Sequence, residues 1–304
     1  MIASAGLIAG AVPLSRPAIA QGKPEKLVLV GINAAIQGAL VDEVGPEFER
    51  KHGIKVEFNL LPLDALSAKL RAELNAGSQG IDILQWNPDM TGWLAPHLED
   101  HAKLLQDFGS KQPDFDWDDF MPSVKGMASY AGKLQGIPFR VTAPVLHYQK
   151  ELLEAAGIAA PPTTFAELRA AALATTAAGQ PGRFGLGLMG RQGAALVVSF
   201  APYLFSAGGR FYDAATGEIF INRPEAVAAL DFFGGLLSRD KVVPPEATTW
   251  EFNEIIAGGQ ADRYAMTVAF APYGTLINDP SRSKTGGKWA WALAPGAESL
   301  SPST

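Results

Sequence analysis

Aromatic side chains follow predicted strands at several points of this chain, outside any periodic apolar stripe. Trp86 ends one predicted strand, Trp250 begins a predicted helix, and Tyr273 comes just after a strand that ends in Phe270. Aromatic faces stack on the C–H faces of sugar rings, while amide and charged side chains bind hydroxyl groups. Because binding sites are commonly built from loops at strand ends, these residues indicate a site for a small hydroxylated molecule. Burial in the core explains any one of them equally well.

The string Gly185-x-Gly187-x-x-Gly190 matches the fingerprint of a dinucleotide-binding loop. A true fingerprint follows a complete strand and opens a helix. Here the first two glycines fall inside the alternating apolar pattern of residues 183–188, so they belong to the strand itself. The pattern therefore argues against a nucleotide site.

His97 and His101 have the spacing of helical metal ligands, but their segment, HLEDH, lacks the residue order of a zinc protease. The chain has no cysteine, which excludes thiolate metal sites, disulfides and cysteine nucleophiles. It also has no Gly-x-Ser-x-Gly elbow and no carboxylate pair in an apolar setting. We therefore predict no catalytic residue, no metal and no cofactor.

The composition is that of a globular protein large enough for two domains. Of 304 residues, 47% are hydrophobic and 18% are charged. With 25 basic and 31 acidic residues the net charge is −6, which argues against nucleic acid or an anionic membrane as the main partner. Residues 1–20 combine an apolar run with a small-x-small end at Ala18-Ile19-Ala20, which predicts a cleaved secretory signal.

The elements that would hold these residues alternate in type along the first part of the chain. The predicted strands are residues 26–32, 54–60 and 81–85, and the predicted helices are residues 38–52 and the stripe Leu66, Leu70 and Leu74. Such alternation predicts an α/β domain with a largely parallel sheet, where ligands bind at the carboxyl ends of strands. Asn33, Trp86 and Asn87 lie at such ends.

The later part of the chain is predicted to be mostly helical around a few strands. Residues 136–149 are expected to form a strand, a polar break and a second strand that enters a helix. Thr164 and Glu167 predict a capping box at a helix start, and Thr248 with Glu251 predicts another. Further strands are expected at residues 183–188, 264–270 and 289–293.

Five segments together resemble the sugar-type extracellular solute-binding proteins of ABC transporters. They are residues 48–56 (FERKHGIKV), 81–86 (IDILQW), 132–138 (GKLQGIP), 152–168 (LLEAAGIAAPPTTFAEL) and 205–211 (FSAGGRF). Each signal is weak alone, but their order and spacing are similar to the family's over nearly the whole of the chain after residue 20.

The resemblance implies two α/β lobes of the type II-like periplasmic binding protein fold, joined by hinge strands around an interlobe cleft. Lobe 1 would comprise residues 21–140, lobe 2 residues 141–263, and residues 264–304 would return to lobe 1. The implied ligand-binding residues, with Asn33 and Gln192 added from their loop positions, are Asn33, Trp86, Asn87, Arg140, Gln192, Trp250 and Tyr273.

The resemblance also implies a function and a place. The chain would be the monomeric substrate-binding component of an ABC importer, periplasmic or extracellular, delivering a sugar or polyol to membrane permease subunits without chemical change. The family's C-terminal helices are expected to be missing from this sequence. Alternatives are a polyamine, an iron chelate or a phosphorylated polyol on the same fold, or a hydrolase or transferase on a two-lobed fold.

Overall fold

The computed structural model describes residues 23–34, 37–78, 80–109, 115–213 and 216–298, so the predicted signal at residues 1–20 lies outside the described part. The strands are β1 (Lys26–Ile32), β2 (Lys55–Leu61), β3 (Ile83–Leu84), β4 (Ser129–Tyr130), β5 (Lys133–Leu134), β6 (Pro144–Gln149), β7 (Phe184–Gly187), β8 (Tyr264–Phe270) and β9 (Trp289–Leu293). The helices are α1 (Gly45–His52), α2 (Leu63–Asn75), α3 (Thr91–Leu94), α4 (His101–Phe108), α5 (Pro122–Met127), α6 (Lys150–Ala155), α7 (Phe165–Ala177), α8 (Ala194–Ser206), α9 (Pro224–Ser238), α10 (Phe252–Gln260) and α11 (Tyr273–Ile277).

A parallel sheet of order β2-β1-β3 forms the centre of what we call the first lobe, the described residues up to 140. β1 pairs with β2 along its full length, from Lys26 opposite Lys55 to Ile32 opposite Leu61. β3 is short and pairs with β1 only at Ile83 and Leu84. The carboxyl ends of β1 and β3 therefore lie side by side, where a ligand site was predicted.

Helix α2 covers this sheet with the stripe that its leucine spacing predicted. Leu66 and Leu70 are fully buried, four residues apart on one face, and Leu63 lies one turn before them. They join Val30 of β1 in the core of the first lobe. Burying each such leucine contributes roughly 1.5–3 kcal/mol, so this stripe fixes the helix against the sheet.

A mixed sheet of order β7-β8-β6-β9 forms the centre of the second lobe, which comprises the described residues from 144 onwards. β8 runs parallel to β7 and antiparallel to β6, and β6 is antiparallel to β9. Helices pack on this sheet around a larger core, in which Leu146, Leu186 and Leu204 are fully buried.

The structure corrects the expected return of residues 264–304 to lobe 1. β8 and β9 both pair with β6, so the described residues 264–293 belong to the second lobe. β8 is buried on both faces, as a strand flanked by two others in a covered sheet must be. Residues 299–304 lie outside the described part of the chain.

The first of the two strands predicted within residues 136–149 is not formed. Residues 135–143 have neither helix nor strand structure, and the first strand of this region is β6. Pro138 has no N–H to give to a neighbouring strand, and no described strand lies beside the segment to pair with it. The chain thus crosses between the lobes without regular secondary structure.

Two helices begin where capping boxes form, and only one of these starts is where the sequence predicted it. The capping box of α7 is confirmed: the Thr164 hydroxyl accepts the Glu167 N–H at 3.1 Å, and the Glu167 carboxylate accepts the Thr164 N–H at 3.2 Å. The second predicted box, at Thr248, is wrong in register. α10 begins at Phe252, where Glu251 and Glu254 form the box instead.

Candidate ligand site at the junction of the two lobes

A cavity of about 810 Å³ runs beside β3 and past its carboxyl end. Residues 81–88 form one wall and residues 136–141 another. The cavity brings Trp86, Asn87 and Arg140 together, three of the predicted ligand residues. His97 and His101 also line it, but no group of three metal-binding side chains occurs in the described ranges.

Trp86 lies directly beneath Gly136. Atoms of its indole lie 3.3–3.6 Å from the position that a Cβ on Gly136 would occupy, so the glycine allows the close approach. The other side of the ring packs on the core of the first lobe. Asn87 follows and begins a 3₁₀ turn, Pro88–Met90, without capping it by its side chain. Its amide forms no hydrogen bond to any residue that the structure describes.

Arg140 of the crossover segment interacts with Tyr273 at the start of α11. Tyr273 is 2% exposed, and its ring meets that of Phe270 edge-on with centroids 5.6 Å apart. Burial raises the pKa of the Tyr273 phenol far above its ordinary value, and the nearby Arg140 charge only partly opposes this shift. Arg140 is an exposed residue; partial desolvation lowers its pKa, but it stays charged as arginines do. Tyr273 does not line the cavity, so only the Arg140 cation of this pair is presented there.

Asn33 lies at a second, smaller cavity of about 300 Å³ that the two lobes share. From the second lobe, α10 contributes Asn253 and Gln260 to it. Beside them Phe252 packs on the cores of both lobes and stacks on Phe270 at 6.5 Å. Asn253 and Phe252 were not predicted as site residues; the capping pattern of Glu251 and Glu254 was the signal that could have located them.

Three predicted ligand residues, Gln192, Trp250 and Tyr273, line neither of these two cavities. Gln192 is exposed in the turn before α8. Trp250 is 7% exposed and belongs to the core of the second lobe, where its ring lies 6.1 Å from that of Tyr264. The missing side chain of Gly258 leaves room for this indole. For Trp250, core packing rather than ligand contact is the role that the geometry supports.

His147 of β6 is expected to make the free energy of unfolding depend on pH. It is 2% exposed, and its Nε2 lies 3.1 Å from the Phe270 carbonyl oxygen. Burial lowers the pKa of His147, and contacts with the Phe270 and Ala269 backbone only partly offset this. The unfolded chain therefore binds the proton more readily, with a pKa near 6.5.

Stability conferred by neutral His147 is thus present above about pH 6.5 and is lost as the pH falls towards the lower pKa of the folded state. We expect the free energy of unfolding in urea to decrease over this interval. A His147→Gln variant should show a shallower decrease, whereas a His52→Gln variant on the exposed end of α1 should behave like the parent. Equal slopes for parent and His147→Gln would contradict the assignment.

Comparison with known proteins agrees with this architecture. The family model for bacterial extracellular solute-binding proteins matches residues 33–300. The chain belongs to this family. It is 27% identical over 285 residues to the mannitol-binding protein of Pseudomonas aeruginosa, covering 93% of this chain and 63% of that protein. The chain therefore spans less than two thirds of the length of this relative.

Solved structures of the family share the fold. A ribitol complex of an ABC transporter solute-binding protein from Agrobacterium radiobacter K84 aligns with a TM-score of 0.81 at 24% identity, covering 92% of this chain and 69% of the other. The maltose-bound MalE3 of T. maritima aligns with a TM-score of 0.78 at 26% identity, covering 89% and 67%. Within the described part of the chain, no helix is long and apolar enough to cross a bilayer.

Proposed function

We propose that this protein is the substrate-binding component of an ABC importer that captures a sugar or polyol at the junction of its lobes. The observation that carries the proposal is the cavity of about 810 Å³ beside β3, which brings together Trp86 and Asn87 of the first lobe and Arg140 of the crossover. An aromatic face, a free amide and a cation are groups that bind a polyhydroxylated molecule.

The relatives support the same ligand class. One carries the name of a mannitol-binding protein, and solved neighbours hold ribitol, D-mannitol, maltose or tagatose. Polyamine capture would need convergent carboxylates; of the two that line the cavity, Asp82 accepts the Val28 N–H and Glu99 is exposed. A ferric site would need clustered tyrosines, and none of the described tyrosines lines this cavity.

The crossover provides a mechanism for release. Between Arg140 and β6 the chain has no helix or strand structure, and in this stretch the Ala143 carbonyl accepts the Ala271 N–H at 3.0 Å. Rotation of a few backbone dihedrals in such a segment can open and close two rigid lobes. A ligand that contacts both lobes favours the closed arrangement, and a permease can recognise that shape.

The proposal extends to partners, location and chemistry. The protein would act as a monomer outside the cytoplasmic membrane, after export, and hand its ligand to permease subunits unchanged. No catalytic role is assigned to any residue at the junction. A hydrolase would convert the ligand and release product, which the binding experiment below also detects.

A thermal-shift series tests the proposal with ribitol, D-mannitol and maltose. At a hundred times Kd a ligand adds about 2.7 kcal/mol to the free energy of unfolding. For a protein of this size we expect Tm to rise by roughly 4 °C. Spermidine serves as the cationic control and should leave Tm unchanged. The proposal fails if no sugar or polyol shifts Tm at millimolar concentration, or if chromatography of the mixture shows that the ligand has been converted.

A further inference from the structure

Two glutamines meet at the wall of the larger cavity, and neither was predicted as a site residue. Gln85 directly follows β3, and its backbone N–H donates to the Val30 carbonyl at 2.9 Å. Its side chain is partly exposed and lines the cavity. Gln37 follows β1, is 2% exposed and does not line the cavity. The Nε2 of Gln37 donates to the Oε1 of Gln85 at 2.8 Å, so Gln37 can act on the cavity only through Gln85.

The side chain of Gln85 lies over Gly31 of β1. A Cβ on Gly31 would lie 2.6 Å from the Oε1 of Gln85 and 3.1 Å from its Cβ, so the glycine allows this close approach. The backbone of β1 therefore bounds the amide on one side, while Gln37 holds its oxygen. The amide of Gln85 is thus fixed at two points before any ligand arrives.

The amide of Gln85 has one end left for a ligand. Its Oε1 is occupied by Gln37, and no other side-chain hydrogen bond joins Gln85 to a residue in the described ranges. The remaining Nε2 carries two N–H donors, and a hydroxyl oxygen accepts such a bond. Trp86 and Asn87, the next two residues, line the same cavity. A ligand that packs on the indole would therefore meet these donors within hydrogen-bonding reach.

Gln37 is not explained by core packing. Its Oε1 is buried and has no hydrogen-bond partner among the described residues. A buried amide with one end unpaired is less stable than an apolar side chain of the same size would be at that position. The one side-chain bond that Gln37 does make is the bond to Gln85. Holding Gln85 in place is therefore the role that the geometry gives to Gln37.

We propose that Gln85 binds one hydroxyl group of the ligand and that Gln37 is the residue that positions it. This inference rests on the proposed function and adds a determinant of specificity to it. A ligand that lacks this hydroxyl leaves the N–H groups of Gln85 without an acceptor inside the cavity. Sites that hydrogen-bond a hydroxyl discriminate against the deoxy analogue more strongly than apolar pockets discriminate by size.

Isothermal titration with D-mannitol and its 1-deoxy, 2-deoxy and 3-deoxy forms tests the inference. D-mannitol has a twofold axis, so these three analogues cover each of its hydroxyl groups. We expect the parent protein to bind one of them about 10- to 100-fold more weakly than D-mannitol. If the thermal-shift series selects ribitol or maltose instead, deoxy forms of that ligand replace those of D-mannitol.

Variants assign the discrimination to the two glutamines. Gln85→Met should bind the complete ligand about 10- to 100-fold more weakly and the sensitive deoxy form with nearly equal affinity, within threefold. Gln37→Met should lose part of the discrimination, because the amide of Gln85 is still present but no longer held. Gln106→Met on the exposed face of α4, away from the cavity, should bind every ligand as the parent does.

Melting curves verify that each variant is folded. If Gln37→Met alone does not fold, the double variant Gln37→Met/Gln85→Met takes its place, since removing both partners leaves no unpaired amide. The double variant should show no more discrimination than Gln85→Met.

Three results would overturn the inference while leaving the proposed function intact. In the first, the parent binds all deoxy forms as tightly as the complete ligand. In the second, Gln85→Met discriminates as the parent does, so that Gln85 binds no hydroxyl. In the third, Gln37→Met weakens the complete ligand and every deoxy form by the same factor, which means that Gln37 only supports the fold. A parent protein that binds no sugar or polyol would instead fail the proposed function itself.

Discussion

Replacing Gly185 by alanine is expected to cost about 3–5 kcal/mol of the free energy of unfolding, among the largest effects of any single substitution here. Gly185 lies in β7, where the strand passes under α7 at Ala172. A Cβ at this position would lie 2.5 Å from the Cα of Ala172 and would overlap its carbonyl oxygen. Because the obstacle is helix backbone rather than a movable side chain, α7 must lift from the sheet.

A second glycine provides the control. Gly234 is in the exposed face of α9, and no atom lies within 4 Å of where its Cβ would be. Gly234→Ala should therefore raise the free energy of unfolding by about 0.5–1 kcal/mol through helix propensity alone. Urea titrations followed by circular dichroism compare the two variants. If both substitutions change stability by the same small amount, the close contact between β7 and α7 is not a constraint.

This contact also explains the glycine pattern that imitates a nucleotide fingerprint. Gly187 faces the ring of Tyr264, and Gly190 faces the Ala247 carbonyl, so all three glycines serve close approach within the second lobe. The sequence was sufficient to place Gly185 and Gly187 in a strand, because alternation of apolar residues is a local signal. It could not say what the missing side chains make room for, because the partners lie far away in the chain.

In the rest of the fold, too, features set by neighbouring residues were predicted better than features set by residues distant in the chain. The bounds of β8 and β9 and the stripe of α2 follow from nearby residues, and the structure has them as predicted. Which sheet β8 joins depends on pairing with β6, more than a hundred residues earlier, and there the prediction was wrong. The missing strand at residues 136–139 has the same origin, since an extended segment becomes a strand only when a partner is present.

The same contrast between local and distant information applies to the residues of the candidate site. Trp86, Asn87 and Arg140 were placed by strand ends and by the family resemblance, and they do line one cavity. Trp250 follows a loop, as a binding residue often does. Gly258 on the next helix, however, leaves space for its ring in the core of the second lobe. No pattern of residues 248–252 distinguishes these outcomes, because they differ only in what the second lobe folds around the ring.

Removing the Trp86 side chain is expected to reduce ligand affinity by about 100-fold, equivalent to roughly 2.7 kcal/mol of binding free energy. The indole both lines the cavity and rests beneath Gly136, so its exposed face is fixed before a ligand arrives. A rigid aromatic platform loses little conformational entropy on binding, and it buries a large apolar area against a sugar or polyol. Its loss removes that surface and also frees the crossover segment above it.

Trp93→Ala is the matched control for Trp86→Ala. Trp93 is in the same lobe and packs on the same core, but its ring stacks under Arg71 at 4.1 Å and does not line the cavity. Both variants should lose stability, so the measurement that separates them is the Kd for the ligand that gives the largest thermal shift, determined below the Tm of each variant. Trp86→Ala should bind about 100-fold more weakly and Trp93→Ala within threefold of the parent. Equal losses for the two variants would mean that Trp86 only supports the first lobe, and the ligand would then have to lie at the smaller cavity beside Asn33 and Asn253.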